Sequence, residues 1–249
     1  MEVIIGDPDR LRAVAEDFIK HYETRVAEGA TVAGKAMFVC SNRNIAYDFY
    51  KIVKELRPKW TEKKICDDGV VLSEKDKKEL KPMEKIKLVM TRNKDDEKDL
   101  FDMLGTKEDR KEFDRQFKNP KSNFKIAIVV DMWLTGFDVP SLATMYVYKP
   151  MHGYNLMQAI ARVNRVFKDK EGGLIVDYVG IASALKAAMK EYTKRDQSKY
   201  GDMNIAKMAY PKFQEKLQVC KDLLHGFDFS GFVGGSPLTM AKLITGGVN

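Results

Sequence analysis

Apolar residues recur at helical spacing at Leu11, Val14, Phe18, Tyr22 and Val26, which predicts an amphipathic helix. Asp7 and Pro8 supply its start, a capping side chain and a first-turn proline, and Gly29 supplies its stop. The dense apolar run from Ala36 to Cys40 predicts a strand. Ser41 is then placed to cap a helix whose inner face is Ile45, Phe49, Ile52, Val53 and Leu56, and Pro58 ends it. Residues 60–82 are crowded with lysine and acid and predict a polar, partly helical excursion. Lys85 to Met90 predicts a second strand. Phe101, Leu104, Phe113 and Phe117 mark one or two short helices, with Thr106 and Asp109 spaced as a capping box. Phe124 to Val130 is the strongest candidate for a central strand, being β-branched and apolar on both faces. Thr144 to Tyr148 predicts another strand, 154–167 a helix, and Leu174 to Tyr178 a fifth strand.

Strands alternating with helices predict an α/β fold, a doubly wound parallel sheet. Beyond about residue 180 the strand signals stop. Ala182–Tyr192 and Ile205–Leu224 read as helices, with the polar stretch Thr193–Asp202 as a linker between them. The expected division is a leading helix over 1–29, the α/β domain over 30–195 and a small helical region over 196–249. At 44% hydrophobic residues the chain can bury a core without disulfides or metal. Cys40, Cys66 and Cys220 form no C-x-x-C pair, and His21, His152 and His225 are equally scattered. That pattern excludes a disulfide framework or zinc-ligand spacing and fits a reducing compartment. A net charge of +7 favours a polyanion partner, and equally fits a solvated lysine-rich surface. The longest apolar run, Ile126 to Val130, is too short to cross a membrane, and the first residues are acidic rather than signal-like. The expectation is a soluble, cytoplasmic protein.

Candidate chemistry concentrates in two phrases. Asp131 to Pro140 follows the candidate central strand, and ligands of open parallel sheets bind beyond the carboxyl ends of strands. Gly136 permits a tight turn and close approach of backbone to a ligand. Asp138 could accept a ribose hydroxyl, and Thr135 could touch a phosphate. On their own these residues also read as an ordinary strand-to-loop connection. Gln158, Arg162 and Arg165 then sit at i, i+4 and i+7, on one helix face, opposite Leu156, Ile160, Val163 and Phe167. Guanidinium forks match phosphate oxygens, and an arginine at a γ-phosphate speeds hydrolysis by orders of magnitude. The plain alternative is a solvated face with arginines paired to acids, but no acid lies among residues 154–168. Met83, Met90, Met103, Met132, Met145 and Met157 read as core filling. Tyr146 and Tyr148 read as packing, and His152 as a surface loop residue.

These phrases carry a resemblance. Gly34-Lys-Ala-Met-Phe-Val-Cys-Ser41, Val129-Val-Asp-Met-Trp-Leu-Thr-Gly-Phe-Asp-Val-Pro140, Met157-Gln-Ala-Ile-Ala-Arg-Val-Asn-Arg165 and Gly173-Leu-Ile-Val-Asp-Tyr-Val-Gly180 resemble the second RecA-like domain of superfamily 2 helicases. More closely, they resemble the R (motor and endonuclease) subunit of type I restriction enzymes, over roughly residues 30–195. The resemblance implies a RecA-like sheet, a P-loop NTPase fold without its own P-loop, working within an ATP-dependent DNA translocase. It implies ATP and Mg²⁺ as cofactors of the intact enzyme. Gly136, Asp138 and Gln158 would contact nucleotide, and Arg162 and Arg165 would act on its phosphates. Ser41, Asn42, Arg43, Thr91 and Thr135 would face DNA, with Arg92 beside them. The implied partners are double-stranded DNA, a first RecA-like domain and a nuclease domain of the same polypeptide, and the modification and specificity subunits.

Departures from the family pattern matter equally. The chain has no G-x-x-x-x-G-K-[ST], no D-E-x-H and no recognisable nuclease carboxylates. It therefore reads as part of a longer polypeptide, inactive alone as a deoxyribonuclease or ATPase. Two alternatives stay open here. One is the C-terminal motor domain of another superfamily 2 helicase, and the other is a non-catalytic DNA-binding module on the same fold.

Overall fold

The computed structural model describes residues 5–181 and 184, apart from 32, 135, 169 and 171. The chain divides into two units, Met1–Tyr192 and Thr193–Asn249, and every described residue lies in the first. The helices expected over 182–192 and 205–224, and the linker between them, lie outside the described residues save for Ala184.

Helix α1 spans Pro8–Ala27, and the Asp7 carboxylate accepts the Arg10 amide, as the sequence predicts. Strand β1 (Lys35–Cys40) leads into α2 (Arg43–Leu56). The cap of α2 is Asn42, not Ser41: Asn42 Oδ1 accepts the Ile45 amide at 3.0 Å, while the Ser41 hydroxyl is drawn away to the Tyr148 carbonyl at 2.9 Å. Pro58 opens a short 3-10 turn over Pro58–Thr61. The polar excursion contains one short helix, α3 (Glu74–Glu79), capped by Ser73 and Asp76. An isolated bridge from Lys64 to Met83 ties the excursion's two ends together. Strand β2 (Ile86–Val89) precedes α4 (Lys98–Leu104) and α5 (Lys107–Lys118), and the Thr106/Asp109 capping box is present. Strand β3 (Ile126–Val129), β4 (Leu142–Tyr148), α6 (Gly153–Val163) and β5 (Leu174–Asp177) complete the unit.

All pairings are parallel, in the order β2-β3-β1-β4-β5, so the expected α/β parallel sheet is present. The central strand is β1; β3 is interior but second from the edge. Its apolar character reports cover on both faces, which every interior strand here shares. Side chains alternate between two cores, as strand period requires. Phe38, Leu88, Ile128 and Tyr146 face α1, α2 and α4, where Phe18 sits amid Phe38, Phe49, Trp60 and Tyr146. Met37, Val89, Val129 and Met145 face α5 and α6. Helices on both faces make the sheet doubly wound. Tyr146 and Tyr148 are fully buried, as expected of packing residues. Met83, Met90 and Met145 fill the cores, with Met103 and Met132 partly buried against them. No described helix is long and apolar enough to cross a membrane.

Candidate functional site

Register aligns the strand ends. Val89, Val129, Val39, Val147 and Asp177 lie across from one another in successive pairings, so the loops after all five strands leave from one carboxyl edge. That edge gathers Ser41, Asn42, Arg43, Thr91, Asp131 and Lys149. The first four were expected to face DNA, and the fold brings them together. The side chains of Ser41, Asn42 and Arg43 are already in use within the chain. Arg43 donates to the Thr91 carbonyl at 2.6 Å and grips Asp96 with contacts of 2.5 and 2.6 Å. Burial would raise the Asp96 carboxyl, but the Asn93 amide and Arg43 outweigh it and hold it below its ordinary value. The loops after β1 and β2 are thus clamped together. Thr91 contributes its carbonyl and leaves its side chain exposed, and Arg92 lies over the Phe101 ring at 4.3 Å. Lys149, which the sequence reading passed over, bridges Asp131 at 2.5 Å and the Val130 carbonyl at 3.2 Å. Its only sequence signal was its position just past a strand.

The phrase from Asp131 to Pro140 does not stay on that edge. Strands β3 and β4 are parallel neighbours of β1, so their connection must run back along the sheet to its amino end. It does so as core: Trp133, Leu134, Phe137 and Val139 are buried, and the Trp133 and Phe137 rings stack at 4.1 Å. Trp133 holds φ +68°, a strained conformation for a bulky residue, fixed by packing against Phe137 and Phe117. Gly136 turns at φ +69° and is exposed. Apart from its chain neighbours, no described residue comes within 4 Å of where its Cβ would be, so the turn, rather than a tight internal contact, requires glycine. Thr135 lies outside the described residues.

Helix α6 returns along the same face, and its eleven residues rise about 16 Å. His152 is its exposed N-cap residue and makes no side-chain cap. Gln158 and Arg162 lie one turn apart, both half-buried, as expected. Arg165 does not share their helix. Asn164 breaks from helical geometry at ψ 55°, and Lys170 turns the chain by bridging to Phe167 and by donating to the Arg165 and Pro140 carbonyls at 2.7 and 3.0 Å. Burial, then the charge of Arg165, holds the Lys170 ammonium below its ordinary value. Arg165 instead pairs with Asp138, Nη1 to Oδ2 at 3.0 Å. The acid missing from the helix is supplied by the preceding loop, 27 residues earlier. Among the described residues Arg162 makes no ion pair and only Oδ2 of Asp138 is engaged. The arrangement therefore has two parts: a polar row at the carboxyl edge, and Arg162, Arg165 and Asp138 toward the opposite end of α6.

Residues 32–180 match the family described as type I restriction enzyme subunit R domain 3. A relative from Haemophilus influenzae, the type I restriction enzyme HindI endonuclease subunit, is 43% identical over 195 residues, 77% of this chain and 17% of that one. The chain belongs to the R-subunit family of type I restriction enzymes. The MjaIXP endonuclease subunit of Methanocaldococcus jannaschii, assigned to the same enzymes, is 42% identical over 78% of this chain and 16% of its own length. This R-subunit chain thus spans about a sixth of the curated relatives it matches. A solved fragment assigned as the HsdR subunit of a type I restriction enzyme from Vibrio vulnificus overlaps it with TM-score 0.46 at 17% identity, over 71% of this chain and 30% of that one.

Proposed function

We propose that this chain is the second motor domain of an ATP-dependent, DNA-translocating R subunit, and that it closes on nucleotide held by a first RecA-like domain of the same polypeptide. The observation that carries the reading is Arg162: a half-buried guanidinium on α6, without an ion pair among the described residues, one helical turn from Gln158 and three residues before Arg165, which pairs with Asp138. A guanidinium so placed is suited to phosphate oxygens. The Asp138 Oδ2 orients Arg165, and its Oδ1 remains for a ribose hydroxyl. Among the described residues no three His, Cys, Asp or Glu side chains converge. Bound ATP supplies the phosphoanhydride whose cleavage drives opening and closing of the cleft. Arg162 and Arg165 bind and orient its phosphates, and their grip is what closes the domain. The carboxyl-edge row, from Ser41 to Arg43 with Thr91, would follow the DNA backbone, with sequence recognition and modification left to other subunits of a restriction complex. Such contacts are salt-sensitive, because each releases counterions.

The ribose assignment has its own test in the full-length R polypeptide. Wild type is expected to bind ATP about tenfold more tightly than 2′,3′-dideoxy-ATP, the size of a hydrogen bond to a charged group, and Asp138→Asn to lose most of that preference, any loss through Arg165 being common to both nucleotides. A preference left intact in Asp138→Asn would place Asp138 away from the ribose.

A further inference from the structure

The amino ends of β1, β2 and β3 open onto a pocket of about 430 Å³ that shares no lining residue with the nucleotide or DNA candidates. Lys85 directly precedes β2 and Lys125 directly precedes β3; Lys121 and Lys168 reach the pocket from separate turns. Against these four lysines the lining holds one acid, Asp67, which lies 3.1 Å from Lys125 and 3.9 Å from Lys85. Lys121 is turned outward to Asp76 at 2.5 Å. Lys168 makes no ion pair among the described residues. Beneath the pocket Lys35 is wholly buried, donates to the Phe124 carbonyl and pairs with no described carboxylate. Burial, then the charge of Lys125, holds the Lys35 ammonium far below its ordinary value; burial also lowers Lys125. Lys85, Lys125 and Lys168 share a single lining carboxylate, Asp67, so the lining carries more basic than acidic side chains.

We propose that this pocket binds a phosphate group, carried by a nucleic-acid backbone or by a small phosphate ester, at a site separate from the one assigned to ATP. Phosphate fits better than a carboxylate for a geometric reason. Lys85, Lys125 and Lys168 line it from three chain segments, and the one lining carboxylate, Asp67, reaches only the first two. A tetrahedral, multiply charged anion offers acceptors in all those directions. Tyr22, Val26 and Pro120 supply apolar wall beside the lysines.

Lysine acylation in the 249-residue chain, resolved by mass spectrometry, tests this first in the unsubstituted protein. Pyrophosphate is expected to slow acylation of Lys85 and Lys168 together and to leave the exposed Lys111 unchanged. Protection should persist in Arg162→Ala, which separates the pocket from the nucleotide reading. Lys168→Gln should raise the half-protecting concentration about tenfold, the loss of one charged contact. Protection by pyrophosphate alone identifies a small ester as the source. Protection by a short oligothymidylate alone, at equal phosphate, identifies a nucleic-acid backbone, and either result supports the site. Absence of protection by both, or protection by polyglutamate and not by the phosphates, would overturn it.

Discussion

Replacing Arg162 by alanine in the full-length R polypeptide is expected to lower ATP turnover by about three orders of magnitude. The fold itself should tolerate the change. Arg162 is only half-buried and makes no ion pair among the described residues, so its removal leaves no described carboxylate unpaired. A surface change of that kind alters stability within about 0.5 kcal/mol. The loss should fall on kcat more than on nucleotide affinity, because the guanidinium meets charge that develops only in the transition state. Arg162→Lys should recover little, since an ammonium cannot present the planar fork. Turnover near the wild-type value in Arg162→Ala would remove the arginine-finger assignment.

Gly173→Ala is expected to produce the largest loss of stability, about 2–3 kcal/mol, from overpacking. An added Cβ would stand 2.2 Å from Val163 Cγ1 and 2.3 Å from the Val163 carbonyl. The side-chain clash can be relieved, but the carbonyl belongs to the last turn of α6 and cannot yield without moving the helix. Because Arg162 adjoins Val163, ATP turnover should fall with it. A displacement near 1 Å at a catalytic group costs about 100-fold. Gly172→Ala is the control. Its Cβ would meet only the Asn164 side-chain oxygen, at 3.0 Å, which can rotate away. Melting temperatures of the two variants within a degree or so of each other would contradict the close approach of β5 to α6.

The fold was readable wherever its causes are local. The Thr106/Asp109 capping box, the Asp7–Pro8 helix start and the five strand signals depend on residues within a few positions of one another. The errors all have distant causes. Ser41 and Asn42 are both competent caps, and the choice is made by the Tyr148 carbonyl, 107 residues away, which takes the Ser41 hydroxyl. The apolar Phe167 prolongs the helical pattern past Val163, where Asn164 and the Lys170 turn end it. Arg165 was therefore read onto a face it does not share, and its partner Asp138 lay in another segment. One feature was accessible but needed topology as well as pattern. Two parallel strands joined by a loop oblige that loop to cross the sheet, which carries Asp138 away from the edge where Asp131 begins. Lys35 and Lys125 gave no signal of burial, since a lysine beside a strand is usually a solvated edge residue.

Arg162 and Arg165 are proposed to meet the phosphates of a nucleotide shared with another domain. Arginine-selective modification of the full-length R polypeptide, read residue by residue, tests it most directly. With a transition-state mimic such as ADP–aluminium fluoride, both arginines are expected to be protected, and ADP alone should restore the reactivity of Arg162. Equal modification of Arg162 and Arg165 with and without the mimic, in a polypeptide that binds it, would contradict the account.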